Sequence, residues 1–224
     1  MILQLMQLLP PPLVRALRAR LDQLAFTAGT ESAQGMPVQH KQNRQLPRHS
    51  PEERELGGLI LQALASNPAF FSAALPRQIV PPIFARYEPG MHYGLHTDNS
   101  LMPAPQGRVR SDIAMTIFLS EPAEYEGGEL HVNAGGGEWR AKLPAGSAVL
   151  YPAHTLHQVL PVTAGVRLVA VTWIESMVAD PTRREVLWDV YQLGLRLQSG
   201  VAADPEQRAL TNHYHRLIRM WAQT

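Results

Sequence analysis

His96-Thr97-Asp98 sets an imidazole and a carboxylate two positions apart, His157 offers a second imidazole, and Arg167 follows ten positions after it. In extended backbone, residues two apart leave the same face, so His96 and Asp98 can meet one ion while Thr97 points away. Two imidazoles and one carboxylate suit iron(II) and leave the other coordination positions open to small ligands. His-x-Asp alone is also made by an Asx-type turn beside a solvent-facing histidine. The second histidine and the arginine lift it above that alternative.

The third ligand is His154 or His157. His157 is preferred because it opens the strand-like run His157 to Val162, and an antiparallel return through a Gly165 turn would carry Arg167 into the same barrel mouth. His154 sits on the preceding bend and reads as a loop residue or an outer contact. Arg167 opens an otherwise apolar run, Leu168 to Val171. A guanidinium there is costly unless it meets an anion, and its fork fits a carboxylate, such as one end of a dicarboxylate cosubstrate. The alternative is an internal salt bridge with Asp112, Glu129 or Glu175.

Around these residues the chain reads as short extended runs. Ile79 to Tyr87, Asp112 to Ser120, Glu129 to Val132, Glu138 to Leu143, Ser147 to Tyr151, His157 to Val162 and Arg167 to Ile174 are rich in β-branched and aromatic residues. Glu88-Pro89-Gly90, Gly127-Gly128, Gly135-Gly136-Gly137 and Pro144-Ala145-Gly146 divide them. Strands so spaced predict a double-sheet jelly roll. Leu13, Val14, Leu17, Leu21 and Leu24 predict a surface helix, and Ser50-Pro51 caps a second over 52–64. Thr27 to Pro51 reads as a long loop holding Lys41, Asn43 and Arg44, either a lid or a plain connection. Asp180-Pro181 and Asp204-Pro205 start two closing helices, with Val186, Val190, Leu193, Leu197 and then Leu210, Tyr214, Leu217, Trp221 as inward stripes. These helices pack on the sheet or, alternatively, form a homo-oligomer contact. The fold class is therefore mainly β with flanking helices: an N-terminal helical and loop region (1–77), a jelly-roll core (78–177) and a C-terminal helical extension (178–224).

Composition narrows the partners. The 224 residues carry 20 Lys and Arg against 19 Asp and Glu, a net +1, which offers no bulk attraction to nucleic acid or an anionic membrane. There is no cysteine, so the metal is held by nitrogen and oxygen, and the chain suits a reducing cytoplasm. Met1 to Leu9 lacks the charged leader and cleavage site of a secretory signal, and no apolar run approaches the ~18 residues of a membrane span.

The series Arg86-Tyr87-Glu88-Pro89-Gly90-Met91-His92-Tyr93-Gly94-Leu95-His96-Thr97-Asp98, then Thr116 to Ser120, Tyr125-Glu126-Gly127-Gly128-Glu129-Leu130, and His157 to Arg167, resembles the Fe(II)/2-oxoglutarate dioxygenases of the prolyl and lysyl hydroxylase type. More closely it resembles the bacterial PKHD-type hydroxylases, some of which are linked to iron uptake, and Thr27-Ala28-Gly29 with Lys41-Gln42-Asn43 extends the likeness to the N-terminal region. The resemblance implies that His96, Asp98 and His157 ligate Fe(II), that Arg167 holds the distal carboxylate of 2-oxoglutarate, and that Tyr87 faces that cosubstrate. It implies hydroxylation of a C–H bond with O2, release of succinate and carbon dioxide, and L-ascorbate as reductant. The substrate would be a small molecule or peptide. Animal prolyl hydroxylases often carry lysine where Arg167 stands, and either cation can hold a carboxylate. The competing reading is a non-catalytic jelly-roll module whose ligands carry a structural metal; it has no use for a buried Arg167.

The remaining signals are weaker. Gly127-Gly128 and Gly135-Gly136-Gly137 lack the Lys-Ser/Thr pair of a phosphate loop and read as hairpin turns. Arg108, Arg110 and Asp112 read as a solvated charge cluster or a substrate contact. His213 and His215 read as surface residues of the last helix.

Overall fold

The computed structural model describes residues 1–29, 40–105, 107–134, 137–198 and 205–223. The larger of two facing sheets runs in the order β1 (Leu3–Leu5), β14 (Ala148–Pro152), β10 (Ile113–Phe118), β17 (Arg167–Ser176), β6 (Ile83–Tyr87), β4 (Arg44–Gln45) and β2 (Thr27–Ala28), with β5 (Pro76–Ile79) also on β17. The smaller runs β13 (Gly137–Ala141), β12 (Leu130–Ala134), β15 (His157–Val159), β7 (His92–His96) and β3 (Lys41–Gln42). Two further antiparallel pairs are β11 (Tyr125–Gly127) with β16 (Val162–Gly165) and β8 (Leu101–Ala104) with β9 (Gly107–Arg110). This is the jelly-roll core the strand spacing predicts.

The central strands are apolar on both faces because both faces are covered. Ile113, Met115 and Ile117 of β10, with Leu168, Ala170 and Ile174 of β17, pack outward under α1 (Pro11–Leu21), α2 (Pro51–Ala65) and α3 (Pro68–Ala74). The alternate positions, Ala114 and Phe118 with Val169, turn inward against Leu130, Val132 and Val159 of the smaller sheet. Ser50 caps α2 by accepting a hydrogen bond from the Glu53 amide at 3.0 Å. The helix α3 escapes the periodicity argument because it is short; its signal was Asn67-Pro68, where Asn67 Oδ1 accepts from the Phe70 amide at 2.9 Å.

Three expectations need correction. The stretch after Thr27 is not loop throughout: residues 41–42 and 44–45 are strands that pair with β7 and β6. Residues 30–39, part of the 27–51 stretch read as a lid or a plain connection, lie outside the described residues, as do Asp204 and Gly135-Gly136.

The second correction concerns α4 (Pro181–Gln198). Val186, Leu193 and Leu197, expected inward, are exposed, and the helix instead buries Leu187 and Arg184. Leu187 packs with Leu75 and Val178 against Tyr214, Leu217 and Trp221 of α5 (Pro205–Trp221), whose stripe does turn inward. Arg184 is held on the same side by donating to the Val178 and Ala179 carbonyls at 2.6 and 2.8 Å. A helix with apolar residues on two stripes turns whichever one its neighbours can cover.

The third is the route to Arg167. The segment after His157 does not fold back as a hairpin: β15 pairs with β7 and β12 in the smaller sheet, whereas β17 lies in the larger sheet between β10 and β6. Between them β16 leaves both sheets to pair with β11.

Candidate active site

The space between the sheets opens into a cavity of about 90 Å³, lined among others by His96, Asp98, His157, Tyr87 and Arg167. His96 ends β7, and its register partner across the antiparallel ladder is His157, the first residue of β15. The ladder thus brings the two imidazoles to a ring-centroid separation of 4.2 Å. Asp98 lies two residues beyond the end of the strand, its amide donating to the Ala153 carbonyl at 3.2 Å. Its carboxylate oxygens lie 3.9 Å from His96 Nε2 and 3.8 Å from His157 Nε2. Ligand atoms of the three all lie within 4.8 Å of one another, and among the described residues this is the group of His, Asp and Glu side chains so arranged.

The hydrogen bonds around the histidines select the ring atoms that face inward. His96 Nδ1 is 2.7 Å from the Gly94 carbonyl and His157 Nδ1 is 2.9 Å from that of Thr155. A carbonyl only accepts, so each Nδ1 carries the proton and each Nε2 presents a lone pair toward Asp98. Burial, reinforced by the neighbouring His157, lowers the His96 pKa to about 3, so the ring is neutral at physiological pH. Burial pushes the Asp98 carboxyl up, while His157, Trp173 and Lys41 favour its charged form. Asp98 Oδ2 is buried without a hydrogen-bond partner. A buried carboxylate oxygen facing two imidazole Nε2 atoms is a donor set that a divalent cation would satisfy.

Arg167 enters from the opposite sheet. It is 1% exposed, and its Nε and Nη1 are buried with no hydrogen-bond partner. The guanidinium lies over the rings of Tyr87 at 5.0 Å and Phe118 at 5.6 Å. Tyr87 is its register partner on β6. The internal salt bridge is not formed: Asp112 is bound by Arg110 at 2.8 and 2.9 Å, and Glu175 faces Arg77 and Arg110. Gly128, in the left-handed region at φ +67°, makes room for this arginine. A Cβ there would come within 2.8 Å of Val162 and 3.1 Å of Arg167 Cδ.

The other candidate residues stand apart. His154, His213 and His215 are exposed. Arg110 and Asp112 form a structural clamp on the end of β17, Asp112 accepting from the Ser176 amide at 2.9 Å. Several residues of the cavity wall were given no site role by the sequence: Tyr93, whose ring stacks on His96 at 3.7 Å, Tyr151, Thr116, Trp173 and Met102. Met102 comes from the β8–β9 hairpin at the mouth, for which Gly107 was the available turn signal.

The comparisons agree with this geometry. Residues 82–175 match the 2OG-Fe(II) oxygenase superfamily, and residues 182–223 match the PKHD-type hydroxylase C-terminal domain. A Pseudomonas putida prolyl-4-hydroxylase structure has the same fold, with a TM-score of 0.54 at 24% identity over 78% of this chain and 92% of that one. Fold and site thus define a 2OG-Fe(II) oxygenase, an oxidoreductase. Within that class the chain belongs to the PKHD-type hydroxylases: it is 44% identical to one from Janthinobacterium sp. (strain Marseille) over 99% of both chains. It is 46% identical to another from Stenotrophomonas maltophilia (strain R551-3) over 100% of both. No helix among the described residues is long and apolar enough to cross a membrane.

Proposed function

We propose that this chain hydroxylates a C–H bond of a small-molecule or peptide substrate, with His96, Asp98 and His157 holding Fe(II) and Arg167 holding the distal carboxylate of 2-oxoglutarate. The observation that carries the reading is the buried, unpaired face of Arg167 in the cavity that also holds the triad. A metal module without a dicarboxylate ligand would leave that charge uncompensated. Iron(II) with 2-oxoglutarate and O2 supplies the oxidising power, the cosubstrate leaving as succinate and carbon dioxide. The chain's own residues do the rest. The Gly94 and Thr155 carbonyls hold both imidazoles in the ligating tautomer. Arg167, braced on Tyr87 and Phe118, fixes one end of the cosubstrate and so its orientation. Ala85, Ala114, Val159 and Val171 line the cavity with apolar surface that limits water. Ascorbate as reductant and a role linked to iron uptake complete the proposal on the family resemblance.

The test is an anaerobic absorbance titration of metal-free protein with Fe(II) and 2-oxoglutarate, beside His157→Ala and Arg167→Ala. The expected result is a visible charge-transfer band that requires both additions and is lost in both variants, with Fe(II) still bound by Arg167→Ala. Metal binding without a band in the wild type would overturn the cosubstrate role of Arg167.

A further inference from the structure

The residues 41–45 cross from one sheet to the other. Lys41 pairs with Tyr93 at the edge of the smaller sheet, and Gln45 pairs with Ala85 in the larger one, one strand in from its edge strand β2. The segment therefore closes one side of the cavity, and it lies outside the part of the chain that matches the oxygenase superfamily. Its side chains alternate as extended backbone requires: Lys41, Asn43 and Gln45 are 5%, 6% and 5% exposed and line the cavity, whereas Gln42 and Arg44 are exposed. Three successive inward positions are polar, in a cavity whose apolar lining includes Ala85, Ala114, Val159 and Val171.

Asn43 is the informative one. Both of its amide atoms, Oδ1 and Nδ2, are buried with no hydrogen-bond partner among the described residues. An unpaired buried amide costs roughly 1–3 kcal/mol, and the adjacent Tyr87 hydroxyl can engage only part of it, which leaves the rest of the amide open to a polar ligand in the cavity. Its position is built rather than incidental. The Gly29 amide donates to the Asn43 carbonyl at 2.9 Å, and the backbone of Gly29 comes so close that a Cβ there would lie 1.9 Å from Asn43 Oδ1. Asn43 sits beside the Tyr87 hydroxyl, and the Tyr87 ring lies under Arg167. Lys41 occupies the other end of the wall: its Nζ is 5.0 Å from the centre of the Tyr93 ring, which stacks on His96. The wall thus runs from the His-Asp-His triad to Arg167. Among the ionisable side chains that line the cavity, Lys41 and Arg167 are the cations and Asp98 the carboxylate that a metal would engage. Two fixed cations at opposite ends match a dicarboxylate.

We propose that Lys41 and Asn43 form a second carboxylate-binding wall, Lys41 facing the 2-oxoglutarate carboxylate at the triad end and the Asn43 amide donating to the one at the Arg167 end. The inference rests on the oxygenase reading above. It assigns cosubstrate affinity to a segment outside the superfamily core, with Gly29 as the residue that positions Asn43.

The test uses full-length protein loaded with Fe(II) without oxygen. Fe(II) affinity is read by chelator competition, 2-oxoglutarate affinity by the charge-transfer band and by calorimetry, and folding by thermal melts. Asn43→Asp and Lys41→Met should each weaken 2-oxoglutarate at least tenfold with Fe(II) affinity within twofold of wild type, and Lys41→Arg should recover most of the loss. Should Asn43→Asp fail to fold, Asn43→Ser and Gly29→Ala, which remove or displace the amide, carry the same expectation at severalfold. Wild-type affinity in the Asn43 and Lys41 variants, with Arg167→Ala still defective, would overturn this inference and leave the oxygenase reading standing. Equal loss of Fe(II) and 2-oxoglutarate would also overturn it, since the wall would then be structural. Failure of wild type to bind 2-oxoglutarate would sink both.

Discussion

His157 and Arg167, ten residues apart in the chain, stand on opposite sheets and line the same cavity. The His-Asp-His end is built on the β7–β15 ladder of the smaller sheet, and the Arg167 end on β17 at the centre of the larger one. Because different sheets support them, damage to one end should leave the other largely intact. The predictions below use that separation.

Gly128→Ala strikes the Arg167 end. The new methyl meets Val162 and Arg167 Cδ in a backbone conformation that alanine disfavours by about 1–2 kcal/mol. The expected outcome is a fall in thermal stability and at least a tenfold loss of 2-oxoglutarate affinity, about 1.4 kcal/mol, with Fe(II) affinity held within twofold. Calorimetric titration of both ligands measures it.

Ser120→Ala acts one step further back. Ser120 Oγ donates to the Val166 carbonyl and accepts from the Leu168 amide, both at 2.9 Å, so a single hydroxyl holds the backbone on either side of Arg167. Its removal leaves buried backbone groups unpaired, for a destabilisation of roughly 1–3 kcal/mol. Urea unfolding should show this loss, and 2-oxoglutarate binding should weaken more than metal binding.

Metal binding should stabilise the fold only where the triad is whole. At a free Mn(II) or Fe(II) concentration 100 times the dissociation constant, linkage predicts about 2.7 kcal/mol, visible as a rise in melting temperature that a chelator reverses. In His157→Ala no rise is expected at the same concentration. A rise equal to wild type would mean that the metal binds elsewhere.

Arg18 and Glu124 supply a pH test. Arg18 Nη1 donates to Glu124 at 2.7 Å and to the Leu119 carbonyl at 2.8 Å, tying α1 to the turn before β11. The Arg18 hydrogen bond holds the Glu124 carboxyl below its ordinary value of 4.5. Stability from the pair is thus fully present above that value and is lost as the pH falls through the lowered one. The pair is partly exposed, so its contribution is under about 1 kcal/mol. The stability difference between wild type and Arg18→Met should narrow below about pH 4.5, leaving the part due to the Leu119 carbonyl. A difference independent of pH would show that the ion pair contributes nothing.

The sequence by itself determined the parts whose signals are local. The β-branched and aromatic runs marked β10 and β17 as strands, the two-residue step from His96 to Asp98 placed both side chains on one side, and Ser50-Pro51 and Asp180-Pro181 marked helix starts. Tertiary structure decided everything that depends on which elements become neighbours. Arg167 reaches the cavity through the larger sheet because β16 steps aside to pair with β11, a long-range contact that no spacing rule encodes. α4 turned Leu187 inward rather than Val186, Leu193 and Leu197 because Leu75, Val178 and α5 were there to cover it. Lys41, Asn43 and Gln45 looked like loop residues because polar side chains on two-residue strands have no apolar alternation to reveal them. Only the pairing of 41–45 with one sheet and then the other turned those side chains into the cavity.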